Sequence, residues 1–446
     1  MVLLINPKTR KPTEINSDYF REPNLGILYL AALLDNHNID VEILDLEQYV
    51  SNQSIRTEDV LKSYYDFHNI YAITSLTNTF SKALGIAKLI KAKDKNNIVV
   101  FGGPHVSFLY NEILSDTSEA RNIIDFICVG EAEISFVQLV NCIISKHLYT
   151  DVSAKTNPKL KKIKGLAYRT EKGEIIYTGD SVAYNNLDKL PLPARYKLSP
   201  VLEDYTVANI IVNRGCPNQC SFCSRQNLFR QPRIRSIKSI LSEIWDIESY
   251  HSYKFMNFYD NVNINYQFFQ EFCNMFLNHP LSLPWGCEIR VDSITDSTAK
   301  LLKKAGCQVI ASGIESASKR VLQQNFKFQD PKKVKEGIKN IKKYDIPIQT
   351  YFVLGLPGET TQSFKKTIEF IKELPLRKED TINFFIATPY PGSRLWDERE
   401  KFGINIFEND FSKYDCEHLI FETEDLSQID LKEMLTQAKE MEKYFS

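Results

Sequence analysis

Short β-rich runs alternate with segments of helical periodicity along most of this chain, and no other feature restricts its fold as much. In the first third VLLIN, VEILDL, YAITSL, NIVVFGG and FICVG are the strand-like runs. LGILYLAALLDNH, FSKALGIAKLIKAKD and AEISFVQLVNCIISKH carry the helical spacing between or after them. Strands alternating with helices specify a doubly wound parallel sheet, whose ligands lie at the carboxyl ends of the strands. From residue 206 the alternation resumes with VANIIVN, KFMNFYD, PWGCEIR, QVIASGIES, PIQTYFVLG and TINFFIATP as strands. SIKSILSEIWDIESY, ITDSTAKLLKKAG and DPKKVKEGIKNIKKYD are helices among them. Six such units can curl into a partial or full parallel barrel with its chemistry at the C-terminal strand ends.

The α/β chain is therefore expected to divide into a doubly wound domain over 1–147, a hairpin and connector over 148–205, a partial barrel over 206–395 and a helical cap or tail over 396–446. In the connector, GLAYRTEKGEIIYTG suggests a hairpin about EKGE, and LDKLPLPARYKL an ordered strap. The lysines of KTNPKLKKIK read as a solvated loop face.

A length of 446 residues suits two or three domains, and a net charge of −1 gives no sign of a general nucleic-acid binder. The apolar start MVLLINPK is too short for a signal peptide, and no run approaches the roughly 18 apolar residues of a membrane span. A cytoplasmic protein without a transmembrane segment is expected. Most of the nine cysteines stand singly in apolar segments such as FICVG and WGCEI, which suits small core residues better than a disulfide framework.

Three cysteines break that pattern. NRGCPNQCSFCSR, directly after the first barrel strand, places Cys216, Cys220 and Cys223 within eight residues and offers no histidine. A structural zinc site takes four ligands; three thiolates hold three corners of a cubane iron–sulfur cluster and leave the fourth iron open. Zinc with a distant fourth ligand, or a chance cluster, would give the same spacing.

This CxxxCxxC, with Phe222 before the last cysteine, resembles the radical S-adenosylmethionine superfamily. The resemblance implies a TIM-like partial (β/α)6 barrel and a 4Fe-4S cluster whose unique iron chelates the amino and carboxylate groups of S-adenosyl-L-methionine. One electron then splits the sulfonium to a 5′-deoxyadenosyl radical. In GIES, Gly313 and Glu315 fall where the nucleoside would lie; Arg290, ending WGCEIR, is placed to pair bidentately with the methionine carboxylate, and a structural ion pair at the barrel rim is the alternative for Glu315 and Arg290 alike. Gly355 and Gly358 of YFVLGLPGE would let backbone approach the adenine. Arg225, Arg230, Arg233 and Arg235 either steer an anion, offset cluster charge or make ordinary ion pairs. Where many relatives carry two adjacent aspartates, this chain has Asp260–Asn261.

The N-terminal third resembles the cobalamin-binding, Rossmann-like domain that precedes many such barrels, through PNLGILYLAALL, VEILDL, ITSLT, VVFGGPHVSF and VGEAEISF. The resemblance as a whole runs over roughly 1–395. It implies cofactor contacts at Ser75, Thr77, Gly102, Gly103, His105, Gly130 and Glu131, with His105 either bonding backbone or meeting the cofactor's amide side chains rather than ligating cobalt. The DxHxxG loop of other cobalamin proteins is missing: DLEQYVS has Asp45 but neither histidine nor glycine, so a lower axial position open to water or a side chain is expected.

The implied function is cobalamin-dependent methylation of an unactivated carbon in a small-molecule, lipid or peptide substrate, by way of the adenosyl radical and methylcobalamin. Cyclisation, ring rearrangement or oxidation would use the same cofactors. Sulfur insertion calls for further clustered cysteines, whereas Cys273, Cys287, Cys307 and Cys416 are isolated; a non-catalytic carrier would not need the nucleoside elements. An external electron donor such as flavodoxin or ferredoxin is implied. Tyr390, Pro391 and Gly392 are expected to shape the last strand's mouth. No catalytic residue acting on the substrate is identifiable.

Overall fold

A computed structural model describes residues 1–8, 21–49, 56–65, 67–145, 158–198 and 205–445. It divides into two compact units, Met1–Tyr205 and Thr206–Ser446.

In the first unit β1 (Val2–Asn6), β2 (Val41–Asp45), β3 (Ile70–Thr74), β4 (Ile98–Gly102) and β5 (Phe126–Cys128) pair in parallel. Their order is β2-β1-β3-β4-β5. Every residue of β1 is buried, as a strand covered by helices on both faces must be. One of those layers comes from the helices Leu25–Asn36 and Glu133–Ile144, whose apolar residues join the strands in a single core. Because β1 has β2 on one side and β3 on the other, the chain reverses direction of winding there, and a crevice opens at the carboxyl ends of β1 and β3.

The hairpin anticipated within 148–205 forms as β6 (Leu166–Arg169) and β7 (Ile175–Tyr177), but it does not stand apart as a connector. β6 pairs antiparallel with β5 and completes a seven-stranded sheet. The reason is an uncovered edge: a three-residue β5 leaves unpaired backbone groups that a hairpin can satisfy. Residue 147, the expected boundary, lies outside the described residues. Lys161, Lys162 and Lys164 are exposed around buried Leu160 and Ile163, a solvated face as anticipated.

The second unit contains β8 (Val207–Ile211), a short antiparallel ribbon of β9 (Asn213–Arg214) and β10 (Arg233–Ile234), then β11 (Phe255–Tyr259), β12 (Trp285–Glu288), β13 (Cys307–Glu315), β14 (Ile348–Leu354) and β15 (Thr381–Ile386). β8 and β11 to β15 make one parallel sheet in the order β15-β14-β13-β12-β11-β8, a partial barrel open between its first and last strands. In β14, Ile348, Thr350, Phe352 and Leu354 are buried, while Gln349, Tyr351 and Val353 between them are only half-buried. The buried set packs beneath the outer helices, and the other set faces the barrel interior.

The C-terminal segment is not wholly helical. A ribbon of β16 (Ile404–Ile406) and β17 (Phe421–Thr423) precedes the helix Gln428–Phe445. That helix caps the edge of β15, where the Phe384 amide donates to the Glu442 carboxylate at 2.6 Å. No described helix is long and apolar enough to cross a membrane. All nine cysteines are free; Cys128, Cys142, Cys273, Cys287 and Cys307 are buried core residues.

Candidate active site

The cysteine triplet lies on the loop between β9 and β10, at the carboxyl end of β8. Gly215 opens it with φ 81°, and a Cβ there would stand 2.8 Å from the Gln231 carbonyl oxygen. The loop needs glycine at that point. The Cys223 amide donates to the Cys220 carbonyl at 3.1 Å, and Asn218 Nδ2 donates to Cys216 Sγ at 3.3 Å. Burial pushes the Cys220 thiol up to about 11, against the pull of the Lys327 ammonium; the Cys223 and Cys216 thiolates push the same way. Burial also raises Cys223. Buried thiols such as Cys220 and Cys223 become thiolates together only beside a strong local positive charge, which metal coordination supplies. Among the described residues no three His, Cys, Asp or Glu side chains are gathered tightly enough for a single metal ion. A cubane sets a different requirement, since each thiolate binds its own iron.

A buried asparagine fixes this loop to the barrel. Asn325 is 0% exposed. Its side-chain oxygen accepts from Ser221 Oγ at 2.7 Å and its backbone carbonyl accepts from the Ser221 amide at 3.0 Å. Its Nδ2 donates to the carbonyls of Val321 and Pro357, both at 2.9 Å. The cysteine loop, the turn after β13 and the turn after β14 are thereby tied at one side chain. Ser221 also accepts, through its carbonyl, from the Leu395 amide at 3.0 Å. Phe222 packs beside the apolar cluster of Leu356, Ala387 and Leu395, together with Tyr390.

Glu315 ends β13 with φ 65°, a strained conformation for a residue other than glycine and one that tends to mark functional positions. A Cβ on Gly313 would overlap the Glu315 carboxylate, so Gly313 makes room for that side chain. Lys327 Nζ donates to Glu315 Oε1 at 2.8 Å and to the Gly313 carbonyl at 3.2 Å. Burial draws the Lys327 ammonium's pKa down, but Glu315 and the Cys220 thiolate outweigh it and the net shift is upward. Lys327 is thus one cation beside the cysteine loop, along with Arg225 and Arg290.

Arg290 takes up the ion-paired alternative. Its guanidinium donates to Asp292 through Nε and Nη2 at 3.2 and 2.9 Å, to Asn218 Oδ1 at 3.1 Å and to the Phe328 carbonyl at 2.7 Å. With so many donors committed it orients Asn218, which bonds Cys216, rather than presenting a free fork to a carboxylate. The four arginines also separate. Arg225 pairs with Asp260 and donates to the Asn213 carbonyl, while Arg235 is buried against Glu243. Arg230 is exposed and Arg233 half-buried. Gly355 (φ 79°) donates its amide to Glu359 Oε2 at 2.7 Å, and the absent Cβ of Gly358 accommodates Gln324.

In the first unit the turns after β3, β4 and β5 meet at one edge. The Ser75 amide donates to the Gly102 carbonyl at 2.8 Å. Gly103 has φ 104°, and a Cβ there would stand 2.6 Å from the Ser75 carbonyl oxygen. Ser107 Oγ donates to the Gly103 carbonyl at 2.8 Å and accepts from the Gly130 amide at 2.9 Å, fastening the β4 turn to the β5 turn. Thr77 and Glu131 are buried beside these turns. His105 takes a structural place. Its ring is buried against Phe80, 4.5 Å between centroids, and burial pushes its pKa down to about 3. It is a neutral core histidine at the foot of the helix Pro104–Ile113. Asp45, at the end of β2, accepts from Asn6 Nδ2 at 2.8 Å and Tyr205 Oη at 2.5 Å. That network gives Asp45 a structural role; residues 50 and 51 of DLEQYVS lie outside the described residues.

Two family models match this chain: the radical SAM superfamily over residues 210–371 and the B12 binding domain over residues 15–140. An uncharacterised methyltransferase of Pyrococcus horikoshii is 30% identical over 382 residues, covering 84% of this chain and 78% of that protein. The chain belongs to the cobalamin-binding radical S-adenosylmethionine enzymes. An anaerobic magnesium-protoporphyrin IX monomethyl ester cyclase of Rubrivivax gelatinosus is 26% identical over 78% of this chain, which spans 60% of that protein's length. Among solved structures, the radical S-adenosylmethionine methyltransferase TsrM from Kitasatospora setae, with cobalamin and a 4Fe-4S cluster bound, shares the fold with a TM-score of 0.73 at 14% identity. That match covers 100% of this chain and 88% of TsrM.

The cofactors of this radical enzyme are accordingly a 4Fe-4S cluster, S-adenosyl-L-methionine and cobalamin. The residues present suit them: three adjoining thiols for the cluster, and a glycine-lined strand edge where a Cβ would intrude. Lys327, Asn325 and Ser107 escaped the sequence reading. Lys327 falls 12 residues after Glu315, beyond a helix, and nothing in its local sequence marks it.

Proposed function

We propose that this enzyme methylates carbon in a small-molecule substrate, and that the site residues divide the work as follows. Cys216, Cys220 and Cys223 hold the cluster; Glu315 and Lys327 bind the amino-acid or ribose end of S-adenosylmethionine; Gly355 admits its adenine. When bound, these groups supply one-electron cleavage to an adenosyl radical, and cobalamin supplies a methyl carrier. The chain's part is placement and enclosure, which for reacting atoms held at near-attack distance accounts for much of the barrier.

Asn325 holds the cysteine loop and the β14 turn at fixed spacing, so that both ends of the nucleotide meet prepared partners. The strands' inward residues suit a neutral body with aromatic or apolar parts. Tyr351 and Phe385 lie edge to face at 5.8 Å, and Tyr351 Oη donates to Gln349 at 3.1 Å. Asn383 is registered beside Tyr351. In the first unit, Ser75, Gly102, Gly103 and Gly130 would line the corrin edge, with His105 a backing residue.

The observation that carries this reading is the joining of an intact cysteine triplet to a B12-binding domain in one chain that aligns with a methyltransferase over most of both lengths. Protein reconstituted anaerobically with cluster and cobalamin, reduced with a low-potential reductant such as titanium(III) citrate, then given S-adenosylmethionine labelled in its methyl group, tests it without a known substrate. Label is expected on the protein-bound cobalamin. Adenosyl cleavage with no label on cobalamin would favour a ring-forming or oxidative outcome instead.

A further inference from the structure

We propose that the surface around Phe328 is the docking site of an acidic one-electron carrier protein that reduces the cluster. The inference rests on the function proposed above, because only a cluster that must be reduced needs such a partner. Phe328 is 67% exposed, on the loop between the helices Lys319–Gln324 and Pro331–Lys342. Exposure alone does not distinguish it, since Phe67, Tyr266 and Ile429 are comparably exposed; an aromatic ring on an open surface is, however, a frequent anchor of protein contacts.

The position of this ring sets it apart from other exposed apolar residues. Its own carbonyl accepts from Arg290 Nη2 at 2.7 Å; Arg290 Nη1 donates to Asn218 at 3.1 Å; Asn218 donates to Cys216 Sγ at 3.3 Å. A surface aromatic thus stands three hydrogen bonds from a cluster thiol. Phe326 contacts the ring edge to face at 6.4 Å and lies beneath the Arg394 guanidinium at 3.9 Å, which fixes the base of the loop.

The rim is cationic. Lys319, Arg320, Lys332 and Lys333 are all exposed there. Of the nearby carboxylates, Asp330 is engaged by Lys319 at 3.3 Å and by the Lys332 amide at 3.1 Å, and exposed Glu336 lies one helical turn on from Lys332 and Lys333, so four cations face two carboxylates. Among the described residues Arg320, Lys332 and Lys333 form no ion pair within 4 Å, although the Lys332 ammonium also acts on Asp330. On a chain of net charge −1, that is a local positive surplus around an apolar centre. Such a patch steers and seats an acidic protein. In the step served, a flavin hydroquinone of the carrier gives up one electron and becomes a semiquinone, while the oxidised 2+ cluster becomes 1+. No bond is made or broken, and no further reductant is needed.

The test compares two reductants on the cluster-loaded enzyme: dithionite, which needs no docking, and an acidic flavodoxin kept reduced by its NADPH-dependent reductase. The variants are Lys332→Glu with Lys333→Glu, and separately Phe328→Ala. Cluster bleaching and 5′-deoxyadenosine release are both followed. With dithionite the variants are expected to match the parent within about twofold; with flavodoxin the concentration for half-maximal reduction should rise by about tenfold or more, and the charge-reversed protein should lose its salt dependence. Equal slowing with both reductants, or no change with flavodoxin, overturns the docking site. A parent protein that fails with dithionite overturns the function itself, and this inference with it.

Discussion

Lys327 sets its ammonium 2.8 Å from a carboxylate oxygen of Glu315, in a site where both side chains are about nine-tenths buried (12% and 10% exposed). Each compensates a charge the other would leave stranded. Removing one partner of a buried pair costs more than the pair contributes, because the remaining charge is left without compensation. Lys327→Met is therefore expected to weaken S-adenosylmethionine binding by about tenfold to a hundredfold and to lower Tm, with Glu315→Gln somewhat milder. Equilibrium binding of the nucleotide to the cluster-loaded protein checks both.

Glu359 predicts a pH dependence. Burial raises its carboxyl to about 8, opposed by the hydrogen bond from the Gly355 amide. A carboxyl whose folded pKa lies above its unfolded value binds more protons when folded. Its stabilising contribution is full below the unfolded value near 4.5, falls as pH rises, and is gone above about 8. Glu359→Gln keeps an acceptor for Gly355 and does not titrate. Thermal unfolding across pH 6 to 9 should show a smaller loss of Tm in the variant than in the parent; parallel curves would refute the assignment.

Asn325→Ala would leave Ser221 Oγ and the Pro357 carbonyl buried without their partner. Each such group costs about 1–3 kcal/mol. A clear drop in Tm and faster loss of iron on gel filtration are expected. Ser221→Ala removes a single arm and should give a smaller change in both.

In the first unit, Gly103→Ala puts a Cβ 2.6 Å from the Ser75 carbonyl oxygen at a φ of 104°. The strand edge must shift to accept it. Cobalamin retained after desalting, read from its absorbance, should fall at least severalfold, with cluster content in the second unit unchanged.

The architecture was legible because its signals are periodic and local. Alternating strands and helices announce parallel sheets, and the three cysteines announce their site. What stayed hidden depends on pairs distant in sequence. Lys327 and Asn325 matter through Glu315, Ser221 and Pro357, which only the folded barrel brings near. Arg290 stayed open for the same reason: its charge and strand-end position suited a carboxylate clamp or an ion pair, and Asp292, two residues on, already occupies the fork. His105 followed two glycines at a strand end, where a ligand contact is plausible, but the helix that starts there turns its ring into the core. The connector hairpin was visible as a hairpin, while its union with β5 depended on an open sheet edge that no local pattern records.

The most direct test is electron paramagnetic resonance of the anaerobically reconstituted, reduced protein, recorded before and after S-adenosylmethionine is added. A spectrum of one reduced 4Fe-4S cluster that changes on addition, and vanishes when Cys216, Cys220 or Cys223 is replaced by serine, is the predicted result. A cluster signal indifferent to the nucleotide, or one that survives loss of these cysteines, would contradict the account.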